Sequence, residues 1–148
     1  MSSTYQSIFY HIVFGVKNRL PLISTDFRQD LWRMIGATCD KHDMRALAVG
    51  GTADHVHVLL TTRASNTVSS AVKIIKGSSS KWINDLHVPD RIFAWQSGYG
   101  VFTVSLSRTQ AVARYIQNQE KHHQTMSIDR ELEILMGKKM KKSPDIEI

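Results

Sequence analysis

The 148-residue sequence has little cysteine and proline, with one Cys (Cys39) and three Pro, and it lacks a long apolar run. A lone cysteine excludes an internal disulfide framework and a metal site built only from thiolates. Crossing a bilayer takes about 20 consecutive apolar residues, so we expect no membrane partner. The N-terminal segment lacks a basic region, and His11 interrupts its apolar stretch, so we expect no signal peptide. These absences favour a reducing cytoplasm as the location.

The composition is that of a folded, basic domain. The chain contains 19 Lys and Arg against 13 Asp and Glu, which gives a net charge of +6, and 42% of its residues are hydrophobic. This balance and this length predict one globular domain. We place it over 1–136, followed by a basic flexible tail over 137–148. Because the domain stays basic without its tail, a polyanionic partner such as nucleic acid is a working hypothesis.

Hydrophobic periodicity organises the chain into strands and helices. The predicted strands cover 5–16, 46–50, 55–62, 93–95 and 100–105, and the predicted helices cover 25–42, 67–86, a segment from Ser107, and 128–136. This order predicts an α+β fold of the ferredoxin-like or RRM-like split βαβ type, with an antiparallel sheet, an extra strand and additional C-terminal helices that carry Tyr115. The first two helices are expected on one face of the sheet, and the other face is expected to be open.

Local signals predict where some of these elements begin. Thr25 precedes the first apolar helix as an N-cap, and Ser107 followed three residues later by Gln110 fits a capping box. Gly50 ends the predicted strand 46–50, and after Gly51 the residues Thr52-Ala53-Asp54 are typical of a turn.

The motif His55-Val56-His57 lies in the most regular predicted strand. Residues two apart on a strand point to the same face, so both imidazoles project side by side. Two adjacent neutral imidazoles suit a divalent metal ion. The alternative for so short a motif is a pair of structural histidines satisfied by local hydrogen bonds.

The third helix offers a nucleophile and a further ligand. Tyr115 and Gln119 are four residues apart and share one helical face, although Tyr115 beside Val112 and Ile116 also fits the edge of a core. A tyrosine oxygen is a feasible covalent nucleophile, and a metal held by two imidazoles and one amide oxygen keeps positions for phosphodiester oxygens. The combination fits a DNA strand break that leaves a phosphotyrosine link and needs no ATP for rejoining. In agreement, the sequence has no Gly-rich phosphate loop.

Four segments of the chain carry a family resemblance. They are Tyr10-His11-Ile12-Val13-Phe14 followed by Lys17 and Arg19, Asp54-His55-Val56-His57-Val58-Leu59, Trp95-Gln96-x-Gly98-Tyr99-x-x-Phe102-x-Val104, and Tyr115-Ile116-x-Asn118-Gln119-x-x-His122-His123. Together they resemble the single-tyrosine HUH transposases of small bacterial and archaeal insertion sequences, the TnpA type.

The resemblance implies that the domain over 1–136 is a single-tyrosine HUH transposase domain. It implies that His55, His57 and Gln119 bind Mg²⁺ or Mn²⁺, and that Tyr115 forms a 5′-phosphotyrosine and releases a 3′-hydroxyl. It also implies a single-stranded DNA substrate with hairpin ends, and a homodimer in which Tyr115 can meet the histidine pair of the other subunit. Since Mg²⁺ usually prefers oxygen ligands, the two imidazoles favour Mn²⁺.

Basic and aromatic residues outside the motif are candidate DNA contacts. The basic candidates are Lys17, Arg19, Lys73, Lys76 and Lys81. Trp95 and Tyr99 are candidates for base stacking. The alternative is that the helix lysines form a solvated face and that Trp95 belongs to the core.

The sequence thus predicts a metal-dependent tyrosine transposase that nicks and rejoins single-stranded DNA at insertion-sequence ends. One alternative is a non-catalytic nucleic-acid-binding module of the same fold, in which the histidines are structural. Another is a metal-dependent hydrolase that acts through water and forms no covalent adduct.

Overall fold

A four-stranded antiparallel sheet forms the centre of the molecule. A computed structural model describes residues 3–86, 92–122, 130 and 134. The strands, in chain order, are β1 (Phe9–Gly15), β2 (Met44–Gly51), β3 (His55–Thr62) and β4 (Gly100–Val104). Their spatial order is β2-β3-β1-β4, and every neighbouring pair is antiparallel.

Two helices cover one face of this sheet. They are α1 (Arg28–Lys41), which follows β1, and α2 (Val68–Leu86), which follows β3. Their apolar residues pack against alternate strand side chains such as Ile12, Phe14 and Val58, whose burial is the main stabilising contribution. The order β-α-β-β-α-β confirms the predicted α+β, ferredoxin-like fold. None of the described helices has the length and apolar content that a membrane span requires.

The second face of the sheet is covered over β2 and β3, so the prediction of an open face is wrong there. After β4 the chain enters α3 (Thr109–Gln117), which is followed by a single further turn, α4 (Gln119–His122). A small second core of Ala48, Leu59 and Ile116 joins α3 to the sheet. The apolar stripe of the tyrosine helix therefore packs on its own chain.

Both predicted helix caps are wrong. Phe27 occupies the N-cap position of α1 and makes no side-chain cap, so Thr25 does not cap this helix. Arg108 occupies the N-cap position of α3, again without a side-chain hydrogen bond, so Ser107 and Gln110 do not form a capping box. A short 3-10 turn precedes α3 and shifts its start beyond the expected residue.

The extra strand predicted at 93–95 is reduced to a single bridge between Val16 and Trp95. Trp95 packs edge-on against Phe14, with ring centroids 4.7 Å apart, and its indole N–H donates to the hydroxyl of Ser79 over 2.9 Å. Side-chain packing and hydrogen bonds, among them those from Lys17 N–H to the carbonyl of Ala94 and from Gln96 N–H to the carbonyl of Gly15, hold this segment, and Trp95 packs against the core.

Several predicted features fall wholly or partly outside the described residues. Of the predicted helix 128–136, positions 130 and 134 are described, and both are helical. Its other residues, the basic tail 137–148 and His123 of the resemblance motif lie outside the described part of the chain.

The glycine pair ends β2, one residue beyond the predicted strand 46–50, and the predicted turn Thr52-Ala53-Asp54 connects β2 to β3. Gly50 faces His57 across the ladder, and α3 lies directly on it, because a Cβ at Gly50 would overlap the main-chain carbonyl of Ile116. Directly opposed residues share one face of a sheet, so the missing side chain opens the space beside His57. Glycine at position 50 therefore lets the helix bring Tyr115, the residue before Ile116, down to the sheet.

Gly50→Ala should destabilise the fold, whereas the same exchange at Gly36 in α1 should not. At Gly50 the added methyl group forces α3 away from the sheet, and such overpacking costs about 1–3 kcal/mol. At Gly36 a Cβ meets nothing within 4 Å, and alanine within a helix is favoured by about 0.5–1 kcal/mol. Urea unfolding of the two variants measures both differences, and equal effects would contradict the close contact.

Candidate active site

The two histidines of β3 lie side by side on the face that α3 covers. The ring centroids of His55 and His57 are 5.1 Å apart, and both residues are 0% exposed. Alternation along the strand places Val56 and Val58 on the opposite face, in the main core. The strand thus presents two imidazoles at a position from which bulk water is excluded.

Acceptors on the turn before β3 orient the imidazole of His55. Its Nδ1 lies 2.7 Å from Oδ1 of Asp54 and 2.9 Å from Oγ1 of Thr52. An ionised carboxylate only accepts, so Nδ1 of His55 donates and carries the ring proton. This hydrogen bond from His55 is the main reason that the pKa of Asp54 lies below its usual range. In the neutral ring the lone pair is then on Nε2, on the other side of the imidazole.

A third histidine, His11 of β1, contacts His57. Nε2 of His11 lies 2.7 Å from Nδ1 of His57. The β1–β3 register pairs His57 with Val13, so His11 is its diagonal neighbour on the same face. Burial, and after it the neighbouring His57, lower the pKa of His11 to about 3. His11 is therefore neutral at physiological pH.

Gln119 of α4 brings a carboxamide to the same place. Its Oε1 lies 3.3 Å from Nε2 of His55, and the residue is 1% exposed. Because Nδ1 of His55 carries the proton, Nε2 and the amide oxygen both present lone pairs. When two side chains bind the same cation, their lone pairs face each other in this way. Without a cation, the side-chain amide of Gln119 has to be turned so that its NH₂ group donates to Nε2 of His55.

Tyr115 lies beside the imidazoles of its own chain. Its ring centroid is 6.0 Å from that of His57 and 6.2 Å from that of His11, both in edge-on geometry. The predicted continuous helix from Tyr115 to Gln119 is wrong, since α3 ends before Asn118 and α4 begins after it. The structure nevertheless brings together the four residues singled out by sequence, which are His55, His57, Tyr115 and Gln119.

The donor set fits a divalent cation. Imidazole nitrogens and an amide oxygen are ligands that Mn²⁺ accepts, and metal-binding histidines typically have their other ring nitrogen hydrogen-bonded, as both have here. Among residues 3–86 and 92–122, no three His, Cys, Asp or Glu side chains form a group that could hold a metal ion. Gln119, whose Oε1 lies 3.3 Å from Nε2 of His55, would be the third protein ligand beside the two imidazoles.

An ion pair links α4, and with it Gln119, to the start of α1. Nη1 of Arg28 lies 2.6 Å from Oε1 of Glu120. The same guanidinium donates through Nη2 to the carbonyl of Ile23 over 2.8 Å. The Arg28 side chain is 9% exposed and that of Glu120 is 61% exposed. The buried arginine thus connects the loop before α1 to the turn that carries Gln119.

Of the five predicted DNA contacts, Arg19 lies near this site, close to Asp54, and Lys17 is two residues before it. They belong to a short 3-10 turn after β1, in which Asn18 and Arg19 have φ values of 58° and 54°, a conformation uncommon for residues other than glycine. The charge of Arg19 adds to the hydrogen bond from His55 in lowering the pKa of Asp54. Lys17 and Arg19 also line a cleft of about 650 Å³.

The other three predicted contacts are on α2, across the sheet from the imidazoles. Nζ of Lys76 donates to two backbone carbonyls of the segment before β4, at 2.8 and 2.6 Å, and burial lowers its pKa. Lys81 pairs with Asp85 one turn further along the helix. Lys73 is exposed and lines a second cleft of about 610 Å³. The structure does not bring these lysines to the tyrosine.

Comparison with known proteins identifies the family. The family model for IS200-like transposases matches residues 4–119, a range that includes all four site residues. This chain belongs to the IS200-like transposase family. It is 33% identical to the transposase of insertion sequence IS200 from Salmonella typhimurium over 116 residues, which cover 74% of this chain and 75% of the relative. The ISDra2 transposase TnpA of Deinococcus radiodurans is 22% identical over 115 residues, which cover 74% and 82%.

Two solved structures share the fold of this transposase. One, from a Deinococcus radiodurans protein assigned as a transposase, has a TM-score of 0.63 and 22% identity and covers 80% of this chain and 96% of the other. The second, a REP-associated tyrosine transposase bound to a REP hairpin, has a TM-score of 0.59 and 17% identity and covers 83% and 74%. The family resemblance seen in the sequence is therefore confirmed, and the protein acts on DNA in transposition.

Three contributors to the transposase site have no predicted role: Asp54, His11 and Arg28. Asp54 adjoins His55, so a search for a carboxylate beside a candidate ligand would find it. His11 interrupts an apolar strand, which marks a buried polar group in need of a partner, but its partner follows only from the β1–β3 register. No signal in the sequence distinguishes Arg28 from a surface arginine.

Removal of Arg28 should destabilise the transposase more than neutralisation of Glu120. Arg28→Met leaves the buried carbonyl of Ile23 without its donor, which costs about 1–3 kcal/mol. Glu120→Gln removes only an exposed charge, and exposed ion pairs contribute about 0–1 kcal/mol. Urea unfolding measures each loss. An equal loss for the two variants would show that the ion pair, and not the bond to Ile23, is the main stabilising contact of the arginine.

Proposed function

We propose that this transposase cleaves and rejoins single-stranded DNA at insertion-sequence ends through a 5′-phosphotyrosine on Tyr115. The observation that carries the proposal is the position of the Tyr115 ring, 6.0 Å from His57 and 6.2 Å from His11 between centroids. A tyrosine becomes a nucleophile where its proton is accepted or its charge stabilised, and this cluster of imidazoles is such an environment. Family membership supplies the reaction class.

His55, His57 and Gln119 would hold the divalent ion, Mg²⁺ or Mn²⁺. When bound, the ion supplies positive charge to the phosphodiester oxygens as negative charge develops on them. Neutral imidazoles and a neutral amide leave that charge undiminished. Because two of the three protein ligands are nitrogens, we favour Mn²⁺.

Tyr115 performs the covalent step. Its Oη forms a bond to phosphorus while the bond between phosphorus and the 3′ oxygen breaks. The phenolic proton leaves Tyr115, and the departing 3′ oxygen takes up a proton, so the products are a 5′-phosphotyrosine and a 3′-hydroxyl. One phosphoester replaces another, so a 3′-hydroxyl can reverse the step without a nucleotide cofactor.

The proposed substrate carries hairpins near the ends of the element. A structurally similar REP-associated tyrosine transposase is bound to a REP hairpin, which supports this substrate. Lys17 and Arg19, which line one cleft on the turn after β1, are the proposed phosphate contacts, and Lys73 on α2 is a further candidate. Contacts of this kind make binding fall steeply with salt. We place the activity in the cytoplasm, where such DNA is found.

Burial of the imidazoles supports a homodimer that exchanges the tyrosine helix. His55 and His57 are 0% exposed, so a phosphodiester reaches them only after a covering element moves. The connection between β4 and α3 contains the exposed turn Leu106–Arg108, and a short exposed connection can absorb a hinge motion. We propose that α3 can leave its own sheet and present Tyr115 to the histidine pair of a second subunit.

Tyr115→Phe should abolish the covalent protein–DNA adduct and leave hairpin binding intact, because phenylalanine keeps the ring but lacks Oη. The measurement is a denaturing gel of a labelled single-stranded hairpin oligonucleotide incubated with Mn²⁺ or Mg²⁺. Tyr5→Phe is the matched control, since Tyr5 is 93% exposed, and it should keep the adduct. EDTA should remove the adduct from the wild-type reaction.

Three outcomes of that gel would contradict the proposal. An adduct formed by Tyr115→Phe would place the nucleophile elsewhere. Metal-dependent cleavage without an adduct in the wild type would favour a hydrolase that acts through water. Hairpin binding without cleavage in the wild type would favour a non-catalytic nucleic-acid-binding module.

A mixture of Tyr115→Phe and His57→Ala chains should recover the adduct that neither variant forms alone. In such a heterodimer, one intact tyrosine can reach one intact histidine pair if α3 is exchanged. The readout is the same gel, with two affinity tags to isolate heterodimers. A mixture of His55→Ala and His57→Ala is the control and should stay inactive, since neither chain has both imidazoles. Absence of rescue in verified heterodimers would show that the site works within one chain.

A further inference from the structure

We propose that His11 is a positioning residue: it accepts a hydrogen bond from His57 and fixes the tautomer in which Nε2 of His57 is free of a proton and available to a divalent cation. This inference rests on the proposed metal-dependent function of the same site. His11 itself contacts neither the ion nor the DNA in this scheme and acts through His57.

One proton lies between the two rings in contact, and it can be bonded either to His57 or to His11. Nε2 of His11 and Nδ1 of His57 are 2.7 Å apart, and the ring planes are tilted by 36°, so one nitrogen donates and the other accepts. If His57 donates, its lone pair is on Nε2; if His11 donates, the proton of His57 is on Nε2. Only the first arrangement allows His57 to coordinate a cation through Nε2, because a protonated ring nitrogen has no lone pair to offer.

The neighbouring imidazole is oriented in the corresponding way. Nδ1 of His55 is 2.7 Å from the carboxylate of Asp54, and Nε2 of His55 lies 3.3 Å from Oε1 of Gln119. A carboxylate thus turns Nε2 of His55 toward the site, and an imidazole does the same for His57. The neutral acceptor orients His57 without adding negative charge, so it leaves the charge of a bound cation undiminished.

Burial excludes water as a substitute acceptor. His11 is 2% exposed and His57 is 0% exposed, and the β1–β3 ladder holds both residues on one face. A hydrogen bond is stronger, and its loss more costly, where bulk water is absent. His11 also packs near the rings of Phe102 and Tyr115. A test must therefore separate this packing from the hydrogen bond.

The variants His11→Phe and His11→Gln make that separation. Phenylalanine keeps a flat ring and removes the acceptor, whereas glutamine places an amide oxygen near the position of Nε2. In the metal-free proteins, long-range ¹H–¹⁵N correlation spectra identify the protonated ring nitrogen of His57. We expect the Nδ1–H form in the wild type and in His11→Gln, and a gain of the Nε2–H form in His11→Phe.

Mn²⁺ binding, followed by electron paramagnetic resonance, is the second measurement. Loss of a hydrogen-bond partner behind a metal ligand typically lowers metal affinity about 10–100-fold, so we expect a loss of this size in His11→Phe. Affinity should recover to near the wild-type value in His11→Gln. Thermal unfolding establishes that each variant is folded, and hairpin binding without metal should be unchanged in both.

Three results would overturn the inference. They are an Nε2–H form of His57 in the wild type, wild-type Mn²⁺ affinity in folded His11→Phe, and a loss in His11→Gln as large as in His11→Phe. If His11→Phe does not fold, the wild-type spectrum and His11→Gln decide. A wild-type protein that binds no Mn²⁺ would overturn the proposed metal function, while the spectrum would still show whether His11 orients His57.

Discussion

The close contact between α3 and Gly50 is the constraint on which the site depends. A side chain at position 50 would overlap the carbonyl of Ile116, and Gly50 faces His57 across the β2–β3 ladder. The helix therefore lies on the sheet beside the histidine pair, with Tyr115 next to the point of contact. Because α4 follows after one residue, the same contact also sets how close Gln119 comes to His55. One glycine thus determines the positions of the proposed nucleophile and of a proposed ligand.

Hydrogen bonds orient the imidazoles of His55 and His57, which α3 covers. Asp54 accepts from His55, and His11 contacts Nδ1 of His57, so both Nδ1 atoms are engaged and both Nε2 atoms are directed away from these partners. Control of which ring nitrogen carries the proton matters more in a buried site than in water. A ring N–H that points away from its partner in a buried site cannot form a hydrogen bond to solvent instead. The free-energy cost of burying several polar groups in one place is offset by the burial of the large apolar core on the opposite face of the sheet.

Much of the fold follows from the sequence because local burial follows local periodicity. The alternation in His55–Thr62 and the helical spacing of the first two helices predict that both helices lie on one face of the sheet, as the structure has it. The same reasoning correctly puts His55 and His57 on one side of a strand. It fails where contacts between distant segments decide, as at 93–95, where a single bridge between Val16 and Trp95, together with ring packing, replaces the predicted strand.

The site is less predictable than the fold for the same reason. His11 and His57 are 46 residues apart in sequence, and their proximity depends on the register between β1 and β3, which no single segment encodes. The covered second face depends on the fit of α3 against Gly50, a contact between distant segments that the local sequence around Gly50 does not encode. The interruption at Asn118 also escapes helical periodicity, although Gln119 still reaches His55.

Anomalous diffraction from crystals grown with Mn²⁺ tests most directly whether His55, His57 and Gln119 form one metal site beside a tyrosine. We predict an anomalous peak bounded by these three side chains, with Tyr115 of the same chain or of a partner subunit next to it. A Mn²⁺ peak elsewhere in the molecule, with the contact between His55 and Gln119 unchanged, would contradict the assignment.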